Sequence, residues 1–187
     1  TLFSTILGTM IAFALGRHKF KGRQSTNLLI FLPMATPEIV LGASLLSLFL
    51  AFRINPGFWP TVIAHVMFCI SFVVVTVKAR IASLDPRLEQ AAMDLYADEK
   101  ETFRRITLPL VAPGIGAAAL LAFSLSFDDF IITNFNSGTM VTFPKFVYVS
   151  ATRGIPAQAN VIGSTMFIVA LAIVVIGQVV GSKKKAK

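Results

Sequence analysis

The chain has 187 residues, of which 55% are hydrophobic and 14% are charged. Soluble domains carry about a quarter charged residues, so this composition favours a polytopic membrane protein. The formal net charge of +8 suggests nucleic acid only for a soluble protein. Here the basic residues bracket apolar segments, and no nucleic-acid partner is expected. The single cysteine excludes an internal disulfide, and no metal site is expected.

Five apolar segments approach or exceed the length of about 20 residues that a membrane-spanning helix needs. They cover residues 1–16, 27–52, 58–79, 110–127 and 158–181. Pro33 and Pro37 interrupt the second segment. Residues 128–157 are less apolar and rich in turn formers, which predicts a short helix or a re-entrant piece. The sequence therefore predicts an all-α fold with five spans, forming a single transmembrane domain over residues 1–187.

Lysine and arginine predict the orientation of these spans. Three groups, at residues 17–23, 78–105 and 183–187, hold 14 of the 17 basic residues. With five spans all three groups fall on one side, which the positive-inside rule makes the cytoplasm. The tail lysines also suit anionic membrane lipid. The first residue then lies outside, so we expect one further span upstream and six in the intact protein.

Residues 85–109 form the one long charged stretch and hold six of the nine acidic residues. Asp85-Pro86 is typical of a helix start, and Asp98 can cap a second short helix that ends before Leu108-Pro109. Glu101 and Arg105 are spaced for an ion pair. Four residues at helical spacing predict an apolar stripe: Leu88, Ala91, Ala92 and Leu95. An ordinary surface helix between two spans is the alternative.

This stretch resembles the EAA loop of binding-protein-dependent ABC importers. In that family Glu-Ala-Ala is followed by three residues, a glycine, nine residues and Ile-x-Leu-Pro. Here Gln90-Ala91-Ala92 is followed by Tyr96 at the glycine position and then by residues 106–109, ITLP. Gln90 and Tyr96 depart from the pattern. A tyrosine is not expected to reproduce a glycine turn.

The resemblance implies that the helix pair 85–109 lies in the cytoplasm, docks onto an ATPase subunit and passes its motion to the spans. The residues expected to couple to the ATPase are Glu89, Gln90, Ala91, Ala92, Leu95, Tyr96, Ile106, Leu108 and Pro109. The chain has no GxxxxGK[ST] phosphate loop, so it is not expected to be an enzyme or to bind a cofactor. ATP and magnesium are expected on the ATPase subunits.

Residues 32–49 and 123–138, with the segment that follows, are similar to spermidine/putrescine-type permeases. That similarity implies a helix bundle like that of type I ABC importer permeases, in the inner membrane. The implied partners are a second permease subunit that is a paralogue, two ATPase subunits and an extracytoplasmic solute-binding protein. Ferric iron and thiamine are alternative solutes, since related permeases carry them.

Only three acidic residues lie outside residues 85–109: Glu38, Asp128 and Asp129. A carboxylate in hydrocarbon is costly, and such groups commonly mark a solute path. A polyamine would need spaced carboxylates and aromatic faces. The predicted translocation path is lined by Glu38, Asp128, Asp129, Phe127, Phe130 and Trp59.

Structural alternatives exist for each of these acids. Asp128 and Asp129 can end a helix in the headgroup region; because they point about 100° apart, one can face the path while the other holds a neighbouring helix. Glu38 can pair with Arg53 or with a backbone N–H freed near Pro37. A different class of protein, a secondary transporter, would use the three acids for ion coupling but would not need the helix pair 85–109.

Two further features are expected to be structural. His65 lies in an apolar span and is expected to be a hydrogen-bonded packing residue. The small-residue stretches that begin at Gly42 and Gly114 predict close helix packing.

Overall fold

The computed structural model describes residues 1–151, 154 and 157–185, with side chains for all of these except 173–174 and 176–185. All regular structure in this part of the chain is helical, which confirms the predicted all-α class. Two compact units are present, Thr1–Met140 and Val141–Lys187. The helices of the first unit are α1 (Leu2–Arg17), α2 (Arg23–Ala35), α3 (Glu38–Ala51), α4 (Phe58–Ala82), α5 (Arg87–Asp94), α6 (Glu99–Thr102), α7 (Leu108–Asp128) and α8 (Ile131–Asn136). The second unit contains α9 (Phe143–Ala151) and α10 (Ala157–Lys185).

The core of the first unit is built around α4. Its buried face packs against apolar residues of α1, α3, α7 and α8, among them Leu15, Leu45 and Val111. Glycines allow α1 and α7 each to lie unusually close to α4. A Cβ placed at Gly8 of α1 would lie 2.6 Å from Val73 Cγ1, and one at Gly114 of α7 would lie 2.7 Å from Arg80 Cβ. Small residues at such crossings are typical of helices that pack within a membrane.

These close approaches also give the direction of each helix. Gly8 lies beside Val73 and Gly16 beside Ile81, so α1 runs parallel to α4. Gly114 lies beside Arg80, whereas Ala122 accepts a weak hydrogen bond from Cys69 Sγ at 3.6 Å, so α7 runs antiparallel to α4. The end of α1, the end of α4 and the start of α7 therefore meet at one end of the unit. The basic groups at 17–23 and 78–105 follow or precede these helix ends.

The predicted second span is broken into two helices. Pro37 disfavours a helical conformation at the preceding residue, and Thr36 is indeed extended, so α2 ends there. The axis of α3 makes an angle of 109° with that of α2. Asn27 Oδ1 accepts a hydrogen bond from Lys78 Nζ at 2.7 Å, which holds the start of α2 beside the end of α4. Residues 52–57 lead from α3 to the start of α4. The α2–α3 pair therefore connects the two ends of α4. These ends are roughly 35 Å apart, because α4 has 25 residues and a helix rises 1.5 Å per residue.

In the described part of the chain, two helical segments are long and apolar enough to cross a membrane, Phe58–Ala82 and Glu99–Asp128. The bent pair α2–α3 makes a third if it counts as one span. Leu2–Arg17 and Ala157–Ala172, the part of α10 before the side chains that the structure does not describe, are shorter apolar stretches. The five apolar segments of the sequence are thus all helical, and among the residues whose side chains are described two or three of them meet the length criterion.

The next span, α7, begins at Leu108 as predicted, but no break separates it from the short helix before it. Residues 99–128 form one helical segment with a wide π-turn at Phe103–Thr107, in which Leu108 N–H donates to Phe103 O. Pro109 has no N–H to donate. A π-turn accommodates such a missing bond by shifting the hydrogen-bond register without ending the helix.

The turn-rich segment 128–157 contains α8 and α9, as the prediction of a short helix there requires. Between them Gly138 has φ +58°, and a Cβ at this position would lie 2.8 Å from Pro56 O, so only glycine fits. Residues 152–153 and 155–156 of this segment, and Lys187 of the basic tail, lie outside the described residues.

We predict that Gly8→Ala destabilises the protein, because the added Cβ would overlap Val73. The expected loss is about 1–3 kcal/mol, the usual cost of overpacking. The matched control is Gly116→Ala in α7, whose Cβ would meet no atom within 4 Å. Thermal unfolding of the purified protein in detergent compares the two. An equal midpoint for both variants would show that the α1–α4 approach is not tight.

Candidate functional site

The helix pair of residues 85–109 forms as its caps predict. Asp85 Oδ1 accepts the Arg87 N–H at 2.9 Å, and Asp98 Oδ1 accepts the Glu101 N–H at 2.6 Å. Each bond satisfies a backbone donor at a helix start. Glu101 Oε1 also lies 3.1 Å from Arg105 Nη2, which is the predicted ion pair. The local structure of the pair thus follows directly from its own residues.

The expectation that Tyr96 cannot reproduce a glycine turn is wrong. Tyr96 has φ +65° and occupies the left-handed position at the end of α5. Its N–H donates to Met93 O at 2.9 Å, and the Ala97 N–H donates to Ala92 O at 3.1 Å. These two bonds are the Schellman pattern that ends a helix, most often at a glycine. The turn is therefore kept, at the steric cost of a side chain in the left-handed region.

The predicted apolar stripe of α5 divides between two faces. Ala92 is 7% exposed and packs inside the unit, whereas Leu95 is 82% exposed and Tyr96 is fully exposed. Leu88 is about half exposed. Of the other residues expected to couple to a partner, the exposed ones are Gln90, Ala91, Leu108 and Pro109, while Ile106 is half-buried. Leu95 and Tyr96 thus form the most exposed apolar part of the loop, its tip.

Glu89 faces inward. Its Oε2 forms an ion pair with Arg17 Nη1 at the end of α1, and its Oε1 accepts a hydrogen bond from Thr107 Oγ1 in the π-turn. The structure therefore separates Glu89 from the exposed tip of the loop. Glu89 thereby joins α5 to the end of α1 and to the π-turn, which are distant in the chain.

We predict that Tyr96→Gly stabilises the isolated protein by about 1 kcal/mol, because glycine adopts a positive φ without steric cost. No packing is lost, since the tyrosine ring is exposed. Tyr96→Ala is the control, because alanine keeps the steric cost of the left-handed conformation. Thermal unfolding distinguishes them, and a glycine variant no more stable than the alanine variant would contradict the argument.

A second group of polar side chains is buried where α7 leads into α8. Asp129 is 8% exposed. Its Oδ1 accepts the Ile132 N–H at 3.2 Å, and its Oδ2 accepts the Thr133 N–H at 2.9 Å and the Thr133 hydroxyl at 3.1 Å. Asp129 therefore caps α8. A buried carboxylate needs such donors, because a buried charge without partners is very costly.

His65 of α4 completes this cluster. Its Nε2 lies 2.7 Å from Thr133 Oγ1 and its Nδ1 lies 2.9 Å from Ser126 Oγ. Because the Thr133 hydroxyl donates to Asp129, it can only accept from His65, so Nε2 carries a hydrogen. Nδ1 of a neutral ring then accepts from Ser126. The prediction that His65 is a hydrogen-bonded packing residue is confirmed, and its bonds join α4, α7 and α8.

The predicted path residues lie on different elements. Asp128, the last residue of α7, is exposed, whereas its neighbour Asp129 has an extended backbone and is buried. Glu38 is exposed in the first turn of α3. Trp59 lies in the first turn of α4, and its ring packs edge-on against that of Phe58, with centroids 5.3 Å apart. Phe127 stacks on Phe123 at 5.8 Å within α7, and Phe130 follows it before α8. Of the predicted path residues, Asp129 belongs to the buried polar cluster with His65 and Thr133.

The proposed pairing of Glu38 with Arg53 is wrong. Glu38 begins α3 and Arg53 follows its last residue, so about 20 Å of helix separates them. Glu38 instead lies in the first turn of α3, where the exposed N–H groups favour a negative charge.

The sequence analysis missed Asn136, which is fully buried. Its Nδ2 donates to Ile132 O at 2.9 Å and to Gly42 O at 3.3 Å, and so holds α8 against α3. A Cβ at Gly42 would lie 3.3 Å from Ile132 Cα, which confirms the close packing predicted there. No local signal in the sequence separates Asn136 from Asn134, an exposed amide in the same short helix.

We predict that Asp129→Asn lowers stability by about 1–3 kcal/mol, since the amide keeps one acceptor oxygen and loses the charge. Asp128→Asn, the adjacent exposed carboxylate, is the control and should change stability by less than about 0.5 kcal/mol. The midpoints of thermal unfolding in detergent test this. Equal midpoints would mean that Asp129 does not cap α8.

Comparison with known proteins supplies the remaining findings. Residues 4–182 match the family described as binding-protein-dependent transport system inner membrane component. The chain is similar to the spermidine/putrescine transport system permease protein PotC of Haemophilus influenzae, with 36% identity over 96% of this chain and 70% of that protein. The corresponding protein of Escherichia coli K12 is 35% identical over 97% and 69%. The putrescine transport system permease protein PotI of Escherichia coli K12 is 38% identical over 91% and 63%.

Proposed function

Because the chain belongs to the family of inner membrane components of binding-protein-dependent transport systems, we propose that it is the permease subunit of an ATP-driven polyamine importer. The observation that carries this proposal is the similarity, over nearly the whole chain, to permeases named for spermidine and putrescine. The solute is an organic polycation delivered by an extracytoplasmic binding protein.

The subunit acts as one transmembrane domain over residues 1–187 with five spans: α1, the α2–α3 pair, α4, α7 and α10. The parallel course of α1 and α4 and the antiparallel course of α7 support this topology. The end of the first unit at which Arg17 and Arg80 lie then faces the cytoplasm, together with the basic tail.

ATP and magnesium bind to two separate ATPase subunits, and a paralogous permease completes the membrane part. Residues 85–109 are the cytoplasmic coupling helices. Their exposed tip at Leu95 and Tyr96 supports a docking role, because a large apolar side chain this exposed on a charged loop gains from burial against a partner.

Asp128 is the carboxylate that receives the polycation. Both oxygens of Asp129 already accept hydrogen bonds from α8, whereas Asp128 is exposed and keeps its charge available. Glu38, Trp59, Phe127 and Phe130 are further candidates for the path, where carboxylates and aromatic faces would alternate along a cation's route.

The test is uptake by the assembled importer in proteoliposomes, with spermidine, putrescine, thiamine and ferric iron as solutes. We expect ATP-dependent uptake of spermidine or putrescine, reduced several-fold by Asp128→Asn. Uptake of thiamine or iron alone would overturn the polyamine assignment. Uptake that follows an ion gradient without ATP would instead indicate a secondary transporter.

We predict that Leu95→Asp releases the ATPase subunits from the complex, because a charge would replace an apolar docking side chain. A charge at Leu95 tests docking alone, whereas a charge at Ala92 would also disturb the subunit itself, because Ala92 is buried within it. Phe52→Asp is the control: Phe52 is also exposed and apolar, but it lies beyond α3, at the other end of α4. Co-purification of the ATPase measures the effect. Full retention in the Leu95 variant would remove the tip from the docking surface.

A further inference from the structure

Glu89 uses both of its carboxylate oxygens to connect elements that are distant in the chain. Oε2 pairs with Arg17, 72 positions away, and Oε1 accepts from Thr107, 18 positions away. The side chains of Arg17 and Glu89 are only 27% and 20% exposed. The junction is lined by apolar residues of α5, of the π-turn, of the start of α7 and of the loop before α5: Leu88, Ile106, Leu110 and Leu84.

This junction differs from the exposed ion pair on the neighbouring helix. Glu101 and Arg105 are one turn apart in the same helix and largely open to water, so their pair is weak and links nothing else. The Glu89 contacts are shielded and charge-assisted, and removal of one partner would leave a charge partly buried without compensation. They therefore hold three segments in one arrangement.

A second contact independently joins two of these segments. The Phe13 ring of α1 packs edge-on against the Phe103 ring of the π-turn, with centroids 5.2 Å apart. The end of α1 and the base of α7 are thus already adjacent, and Glu89 attaches α5 to both. Along the chain, by contrast, α5 is connected only through the short loop after α4 and the turn at Tyr96.

We propose that Glu89, with Arg17 and Thr107, is the joint through which movement of α5 is passed to α1 and to the base of α7, an inference that rests on the proposed function. Glu89 is then a positioning residue and not part of the docking surface. A push on the exposed tip of α5 displaces the joined segments together. The π-turn at 103–107 lies where this displacement enters α7, and such wide turns are frequent at functional sites.

The first test uses Glu89→Gln and Arg17→Gln in the assembled importer. We expect polyamine uptake per ATP hydrolysed to fall about tenfold, within the usual range of coupling effects, while the ATPase subunits stay bound. The control is Asn27→Ala, which removes another partly buried polar contact between helices at the same end of the unit but does not touch α5. It should leave uptake per ATP at the wild-type value.

Charge reversal tests whether Arg17 and Glu89 act together through their ion pair or have two independent roles. Arg17→Glu combined with Glu89→Arg restores the opposite charges, and Thr107 can still bond to the new guanidinium through its hydroxyl oxygen. We expect this pair to recover most of the coupling that each single reversal loses. Single reversals whose losses simply add in the double variant would overturn the proposal.

A covalent link tests the joint without relying on the ion pair. Arg17→Cys with Glu89→Cys, joined by a short thiol-reactive cross-linker, should couple better than the same variant before cross-linking. The native Cys69 is buried, which limits its reaction. Cross-linking that lowers uptake further would show that α5 and α1 move relative to each other, and would overturn the joint.

The remaining outcomes are also decisive. Wild-type uptake per ATP in both single glutamine variants would overturn the proposal, and so would loss of the ATPase from them, since Glu89 would then be a docking contact. Failure of the proposed function looks different. In that case the wild-type complex itself would hold no ATPase or would take up no polyamine.

Discussion

At Gly8 the backbone of α1 lies so close to α4 that an added Cβ would be 2.6 Å from Val73, and Gly114 brings α7 equally close to Arg80. Helices in hydrocarbon gain little from burying apolar surface against one another, so close contact and polar bonds must hold them. These two crossings fix the ends of α1 and α7 beside the end of α4. Arg17 and Thr107 therefore come within reach of one carboxylate, Glu89.

Two inward-facing carboxylates, one at each end of the first unit, act by holding helices together. Glu89 joins α1, α5 and the π-turn, and Asp129 caps α8 and lies beside His65 of α4. In both cases both carboxylate oxygens are bonded to groups of the protein, as burial of a charge requires. Asp128 and Glu38, by contrast, are exposed.

Features that depend on a few neighbouring residues were predictable. The caps at Asp85 and Asp98, the Glu101–Arg105 pair and the break at Pro37 each depend on atoms within about one helical turn, and each is present. The errors arose where the backbone forms hydrogen bonds that the residue types alone do not predict. Tyr96 keeps a glycine-like turn because the two bonds of the Schellman pattern outweigh the local steric cost. The helix continues through Pro109 because a π-turn absorbs the missing N–H.

The sequence by itself determined the all-α class, the apolar segments, the charged helix pair and the family resemblance, because composition, periodicity and motif spacing are properties of the chain. Only the tertiary structure decided which of several neighbouring side chains is buried and which is exposed. Asp129 is buried while Asp128 is exposed, and Glu89 faces inward while Leu95 faces outward. No local pattern separates such neighbours, because their roles depend on which distant helix packs against each side of the backbone.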